Sequence, residues 1–137
     1  MTIDEVIKKL RKLNEQVPLP YQLPTQKEIS EVELELENTF SSDYKKFLLE
    51  ASDVVVGTLE PCTIVPKDSH TFIVNVAKEA WTKMNVPKNL LPICEDNGNY
   101  YCLNNINEVV YWSHDGISDE KWDDLASWIK EVWIDRT

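Results

Sequence analysis

The chain has 137 residues, 42% of them hydrophobic, and a formal net charge of −10. That length suits one domain, able to bury roughly 68–70% of its unfolded surface without staples, and the apolar content with five Trp excludes a disordered chain. No apolar run approaches the ~20 residues of a bilayer span, and so acidic a chain has the wrong sign for a phosphate-binding surface, which argues against both a membrane protein and a direct nucleic-acid binder.

The charge is unevenly spread. Residues 1–27 carry five basic and three acidic side chains, residues 28–94 six and eleven, and residues 95–137 three and ten. A basic protein partner is the natural electrostatic complement of the C-terminal third, although acidity also serves solubility alone.

The chain begins with Thr2-Ile3-Asp4-Glu5, a capping box. Ile3, Val6, Ile7, Leu10 and Leu13 follow at helical spacing. Charges lie inside this apolar pattern, so the segment reads as an amphipathic helix and not a signal peptide, and a cytoplasmic protein is expected. Val17 to Pro24 alternates prolines and cannot be helical. It is expected to be an extended connector lying on the core through Leu19, Tyr21 and Leu23, although such a stretch can also serve as a polyproline ligand.

A second capping box, Thr25 to Glu28, opens a helix whose buried stripe is Ile29, Val32, Leu36 and Phe40. Ser41 or Ser42 caps a third helix that turns Tyr44, Phe47 and Leu48 inward. Val54 to Val56 and Leu59 to Val65 read as two short strands around Gly57, with Pro61 marking an edge. Asp68 or Ser69 can cap a fourth helix, in which Ile73, Val76, Ala77, Ala80, Trp81 and Met84 form the inner face.

The organising stretch is Pro92 to Asp115. Leu90 to Cys94, Tyr100 to Leu103 and Val109 to Trp112 are three strands of a meander. Asn97-Gly98 is the strongest short hairpin signal, because a type I′ turn needs positive φ at both central residues. Asn104 to Asn107 supplies the second turn. Tyr100, Cys102 and Asn104 point one way, Tyr101 and Leu103 the other. Ser118 then precedes a fifth helix, with Trp122, Leu125, Ile129, Val132 and Trp133 inward and Trp128 off the stripe, a candidate exposed aromatic.

No catalytic constellation stands out, and no enzyme is expected. Three glycines leave no room for a phosphate-cradling loop. Cys62, Cys94 and Cys102 form no CxxC pair, lie among apolar neighbours, and read as buried free thiols. With His70 or His114 they lack zinc-ligand spacing, so no metal and no cofactor is expected. His114-Asp115 could pair a base with its orienter, but adjacent residues usually point to different faces.

The pattern resembles the SUKH superfamily, found among bacterial immunity proteins of polymorphic toxin systems, with fungal relatives that regulate cell-wall synthesis. Ile29, Glu33, Leu36, Phe40, Ser41, Tyr44, Phe47 and Leu48 occupy the places of its first block. Leu91-Pro92-Ile93, Gly98-Asn99, Tyr100-Tyr101 and Val109 to His114, which contains the Trp112-x-His114 step, occupy those of its second. Asp124 to Ile129 resembles the closing helix. Two departures stand out: Phe40-Ser41 replaces Leu-Pro, and Asn99 replaces the aspartate after glycine.

The resemblance implies one α+β domain over 1–137, with an N-terminal helix and connector (1–23) and a main body (24–137), its helices packed on a mixed or mostly antiparallel sheet. It implies a non-enzymatic immunity protein that binds and neutralises a cognate polymorphic or contact-dependent inhibition toxin, often a nuclease; the alternative is a regulatory protein-interaction scaffold. The expected partner-binding residues are Glu95, Asp96, Asn99, Trp112, His114, Asp115, Asp119, Asp123, Asp124 and Trp128, acids around aromatic anchors.

Overall fold

The computed structural model describes residues 1–116 and 118–137. In chain order the elements are α1 (Ile3–Leu13), α2 (Gln26–Leu36), α3 (Ser42–Ala51), α4 (Ile73–Lys83), β1 (Leu91–Asp96), β2 (Asn99–Leu103), β3 (Val109–Trp112), β4 (Lys121–Trp122) and α5 (Leu125–Trp128), which continues as a π-helical stretch over Ile129–Ile134. The four strands form one antiparallel sheet in the order β1-β2-β3-β4. The architecture is a single small α+β domain.

The helix starts follow their side chains. Thr2 and Thr25 each accept the backbone N–H three residues on, and Glu5 and Glu28 accept in return, so both capping boxes are complete. Ser41 caps α3 by accepting the N–H of Tyr44 at 3.2 Å. The stripes expected from periodicity are buried at Val6, Ile7 and Leu10; Ile29, Val32, Leu36 and Phe40; Tyr44, Phe47 and Leu48, whereas Ile3 is half-buried and Leu13, at the end of α1, is exposed. Trp81 and Met84 are only partly buried against this core. Trp81 Nε1 donates to the Leu90 carbonyl at 2.8 Å, and Lys88 Nζ sits 4.7 Å from the ring centroid.

The meander forms as its dipeptides require. Asn97 (φ 50°) and Gly98 (φ 87°) make the tight turn, closed by the pair Asp96 and Asn99; positive φ at both positions is what selects Asn-Gly. In the second turn Asn104 Oδ1 accepts from the N–H of Ile106 and of Glu108, and Asn107 takes the left-handed conformation (φ 64°). Every residue from Tyr100 to Leu103 is buried. On one face Tyr101 contacts Tyr111, Trp122 and Trp128, with ring centroids 4.9, 5.7 and 5.3 Å away.

Four expectations are corrected. Val54 to Val56 and Leu59 to Val65 are not strands. The Val55 carbonyl accepts from Glu15 N–H at 2.8 Å, and Val55 N–H donates to the Asn14 side chain at 2.9 Å, so the residues just after α1 and not a strand satisfy this backbone. Pro61 has no N–H, and what survives of the second segment is isolated bridging of Pro61 to Cys94 and of Thr63 to Phe72. Neither Asp68 nor Ser69 caps α4; Phe72 occupies that position without a side-chain cap, and the Ser69 hydroxyl turns back to Thr71.

The connector leaves Leu19 90% exposed and Leu23 exposed, and buries Pro24 instead. Finally, Trp122 belongs to β4, paired with Val109, and the last helix starts only at Leu125, behind Asp124. The inner face is then Leu125, Trp128, Ile129, Val132 and Trp133, all buried. Trp128 is 1% exposed, the opposite of its expected exposure. The error came from setting the helical phase by Trp122; counted from Leu125, Trp128 and Ile129 fall at i+3 and i+4.

Candidate protein-binding face

The hairpin turn and the loop after β3 meet at one end of the sheet. The register places Glu95 beside Tyr100, and Tyr100 beside Trp112, in a lateral row across three strands. The Tyr100 and Trp112 rings lie 5.9 Å apart. Glu95 is exposed, Asp96 and Trp112 are half-buried, and His114 and Asp115 are exposed. Beside Trp112, Pro87, Leu90 and Val110 line an apolar groove of about 410 Å³ that runs to His114.

Asp96 accepts from the Tyr111 hydroxyl at 3.1 Å. Asn99 Oδ1 receives the backbone N–H of His114 at 3.2 Å and its Nδ1 at 2.7 Å. The turn also brings His114 Nε2 within 3.3 Å of Asp115 Oδ1, although adjacent residues usually point to different faces. Both side chains are solvent-exposed, 48% and 83%.

Two further residues join this end. Pro61 bridges to Cys94, which sets Glu60 near Glu95. Glu60, His70, Glu95, Asp96 and Asn97 line a cleft of about 360 Å³, and His70 Nε2 lies 2.6 Å from Glu60 Oε2. Burial, then Asp96, Glu95 and Glu60, push the Cys94 thiol up to about 12, so the three carboxylates act on one buried group. Sequence reasoning missed Glu60 because its place depends on a long-range bridge; the only local signal was Pro61 at a sheet edge.

The expected site therefore divides. Glu95, Asp96, Asn99, Trp112, His114 and Asp115 gather at the hairpin end, and the exposed Asp119 lies on the loop entering β4. β4 runs antiparallel to β3, with Lys121 opposite Val110 and Trp122 opposite Val109. Asp123 and Asp124 thus leave the sheet at its opposite end. Asp124 is a structural cap, its Oδ1 accepting the Ser127 N–H at 2.7 Å. Trp128, buried against Tyr101, presents nothing to a partner in this structure.

Among the described residues no group of three His, Cys, Asp or Glu could hold a metal ion, and no helix is long and apolar enough to cross a membrane.

The family model described as SMI1-KNR4 cell-wall (SUKH_5) matches residues 3–134. The chain belongs to the SUKH family. A solved structure of a protein from Pseudomonas syringae pv. tomato is similar at 39% identity and TM-score 0.91, over 96% of this chain and 98% of that one. No curated protein matches. SUKH domains are generally non-enzymatic immunity or regulatory proteins, and those of the immunity type generally bind partner proteins such as toxins.

The SUKH motif residues have physical roles here. Glu33 Oε2 accepts the Phe40 N–H at 2.8 Å and lies 3.5 Å from Lys45 Nζ, locking the end of α2 to the start of α3. Ser41 supplies an N-cap. Asn99 holds the histidine of the Trp112-x-His114 step.

Proposed function

We propose that this SUKH domain is an immunity protein that binds a cognate toxin in the cytoplasm and neutralises it, with a basic toxin domain, a nuclease above all, as its partner. The observation that carries this reading is the family match over residues 3–134. The hairpin end supports it: exposed carboxylates of Glu95 and Asp115, with Glu60 and Asp96 beside them, surround the half-buried Trp112 and its apolar groove. An aromatic anchor ringed by charge suits a specific interface. Nucleases hold phosphates with basic surface, and opposite charges speed encounter.

The test is co-expression with the toxic protein encoded in the neighbouring reading frame, together with association kinetics at rising salt. Growth is restored by this chain, and association slows as salt screens charges beyond ~8 Å. Failure to bind or protect overturns the reading. The cell-wall description of the matched model favours, as a second reading, a regulatory interaction scaffold; stable capture of an endogenous protein of the host cell, with no toxin next door, would select it.

A further inference from the structure

Behind the acidic cleft the fold keeps a second, mainly apolar cavity of about 310 Å³, walled by Phe47, Val54, Cys62 and Trp133. Its remaining wall is the irregular segment after α3. Tyr21, half-buried on the connector, also lines it. The protein-binding face makes no use of this space. An apolar void of ~150 Å³ accepts benzene, and ligand pockets begin near ~300 Å³, so this one has room for a bicyclic ring.

Two buried hydroxyls inside it can accept a hydrogen bond. The Ser52 hydroxyl is buried and donates to the Leu48 carbonyl at 2.6 Å. Its proton is committed, and its lone pairs are free. Thr63 is buried and hydrogen-bonds Thr71 at 2.8 Å, and Thr71 in turn pairs with Ser69 at 2.7 Å. Whichever way that chain of hydroxyls is oriented, the Thr63 oxygen keeps accepting capacity. Glu60 also lines the cavity, and its carboxylate opposes an anionic ligand.

We propose that this cavity is a binding site for a flat, uncharged or cationic aromatic molecule of about two fused rings carrying one N–H or O–H donor. The donor reaches Ser52 or Thr63, and the rings lie among Phe47, Cys62 and Trp133. This site adjoins the proposed toxin-binding face and shares Glu60 with it.

The probe is indole, compared with 1-benzothiophene, which has the same shape without the donor, and with anionic indole-3-acetate. Binding is followed through the Trp133 indole N–H signal by NMR and through the melting temperature. Indole should shift the Trp133 signal saturably and raise the melting temperature. Benzothiophene should bind about three- to tenfold more weakly, the worth of one hydrogen bond, and indole-3-acetate more weakly still. Ser52→Ala should weaken indole and leave benzothiophene unchanged. Cys62→Phe, which fills the space, should abolish both; if that variant does not fold, the Ser52→Ala comparison decides. No saturable shift at Trp133, equal binding of the anion, or indole affinity unchanged in Ser52→Ala together with equal benzothiophene affinity would overturn the proposal.

Discussion

His114 Nδ1 lies 2.7 Å from Oδ1 of Asn99, and the backbone N–H of His114 reaches the same oxygen at 3.2 Å. One amide therefore ties the loop after β3 to the hairpin turn. With an amide oxygen as partner, Nδ1 is the protonated nitrogen.

Asn99→Asp sets a carboxylate against that ring. The carboxylate attracts the ring when the ring is protonated. Stability gained this way is present below the unfolded His value of about 6.5 and is lost as pH rises through the folded value. The variant's melting temperature relative to the parent should be higher at about pH 5.5 than at about pH 8. A difference independent of pH would show that the two side chains do not couple.

Glu33 joins α2 to α3 through the Phe40 N–H and Lys45. Glu33→Ala leaves a part-buried N–H without its acceptor and should cost about 1–3 kcal/mol in urea unfolding. Leu34→Ala, on the exposed face of the same helix, should stay within about 0.5 kcal/mol.

Trp128 is buried, and its Nε1 has no hydrogen-bond partner among the described residues. Trp128→Ala should cost about 3–5 kcal/mol through lost burial and a residual cavity. Trp128→Phe should cost clearly less, since it also removes an unpaired buried donor. A midpoint unchanged in Trp128→Ala would place this side chain in solvent.

Glu108 is held below the usual carboxylate range, first by the Asn104 side chain and then by Lys121. Its folded pKa is lowered, so its contribution is present above the unfolded value of about 4.3 and is lost as pH falls through the folded one. Glu108→Gln should therefore be less stable than the parent at about pH 6, and that difference should shrink toward about pH 3 in urea titrations.

The interface prediction separates the two ends of the sheet. Glu95→Lys with Glu60→Lys should slow toxin association about tenfold at low salt while the fold persists. Asp123→Lys, at the far end, should leave association nearly unchanged. Asp124 is a poor probe of binding because its loss removes a helix cap, worth about 1 kcal/mol. Slowing by Asp123→Lys alone would move the interface to that end.

Local chemistry was legible wherever one residue answers to its near neighbours. Thr2, Thr25 and Ser41 cap helices because the backbone N–H donors they accept from lie three residues on, and Asn97-Gly98 turns because its own φ preferences demand it. Trp128 too was readable, once Trp122 is taken out of the helix. What only the tertiary structure decided are relations between distant segments. Val55 bonds to Asn14 and Glu15, just after α1, and not to a strand, and Pro61 brings Glu60 to Glu95. β4 carries Asp123 and Asp124 away from the hairpin end. Backbone groups and charges carry no mark of which remote partner will satisfy them; that choice is made by the packing of the whole chain, which must pair nearly all buried backbone groups at once.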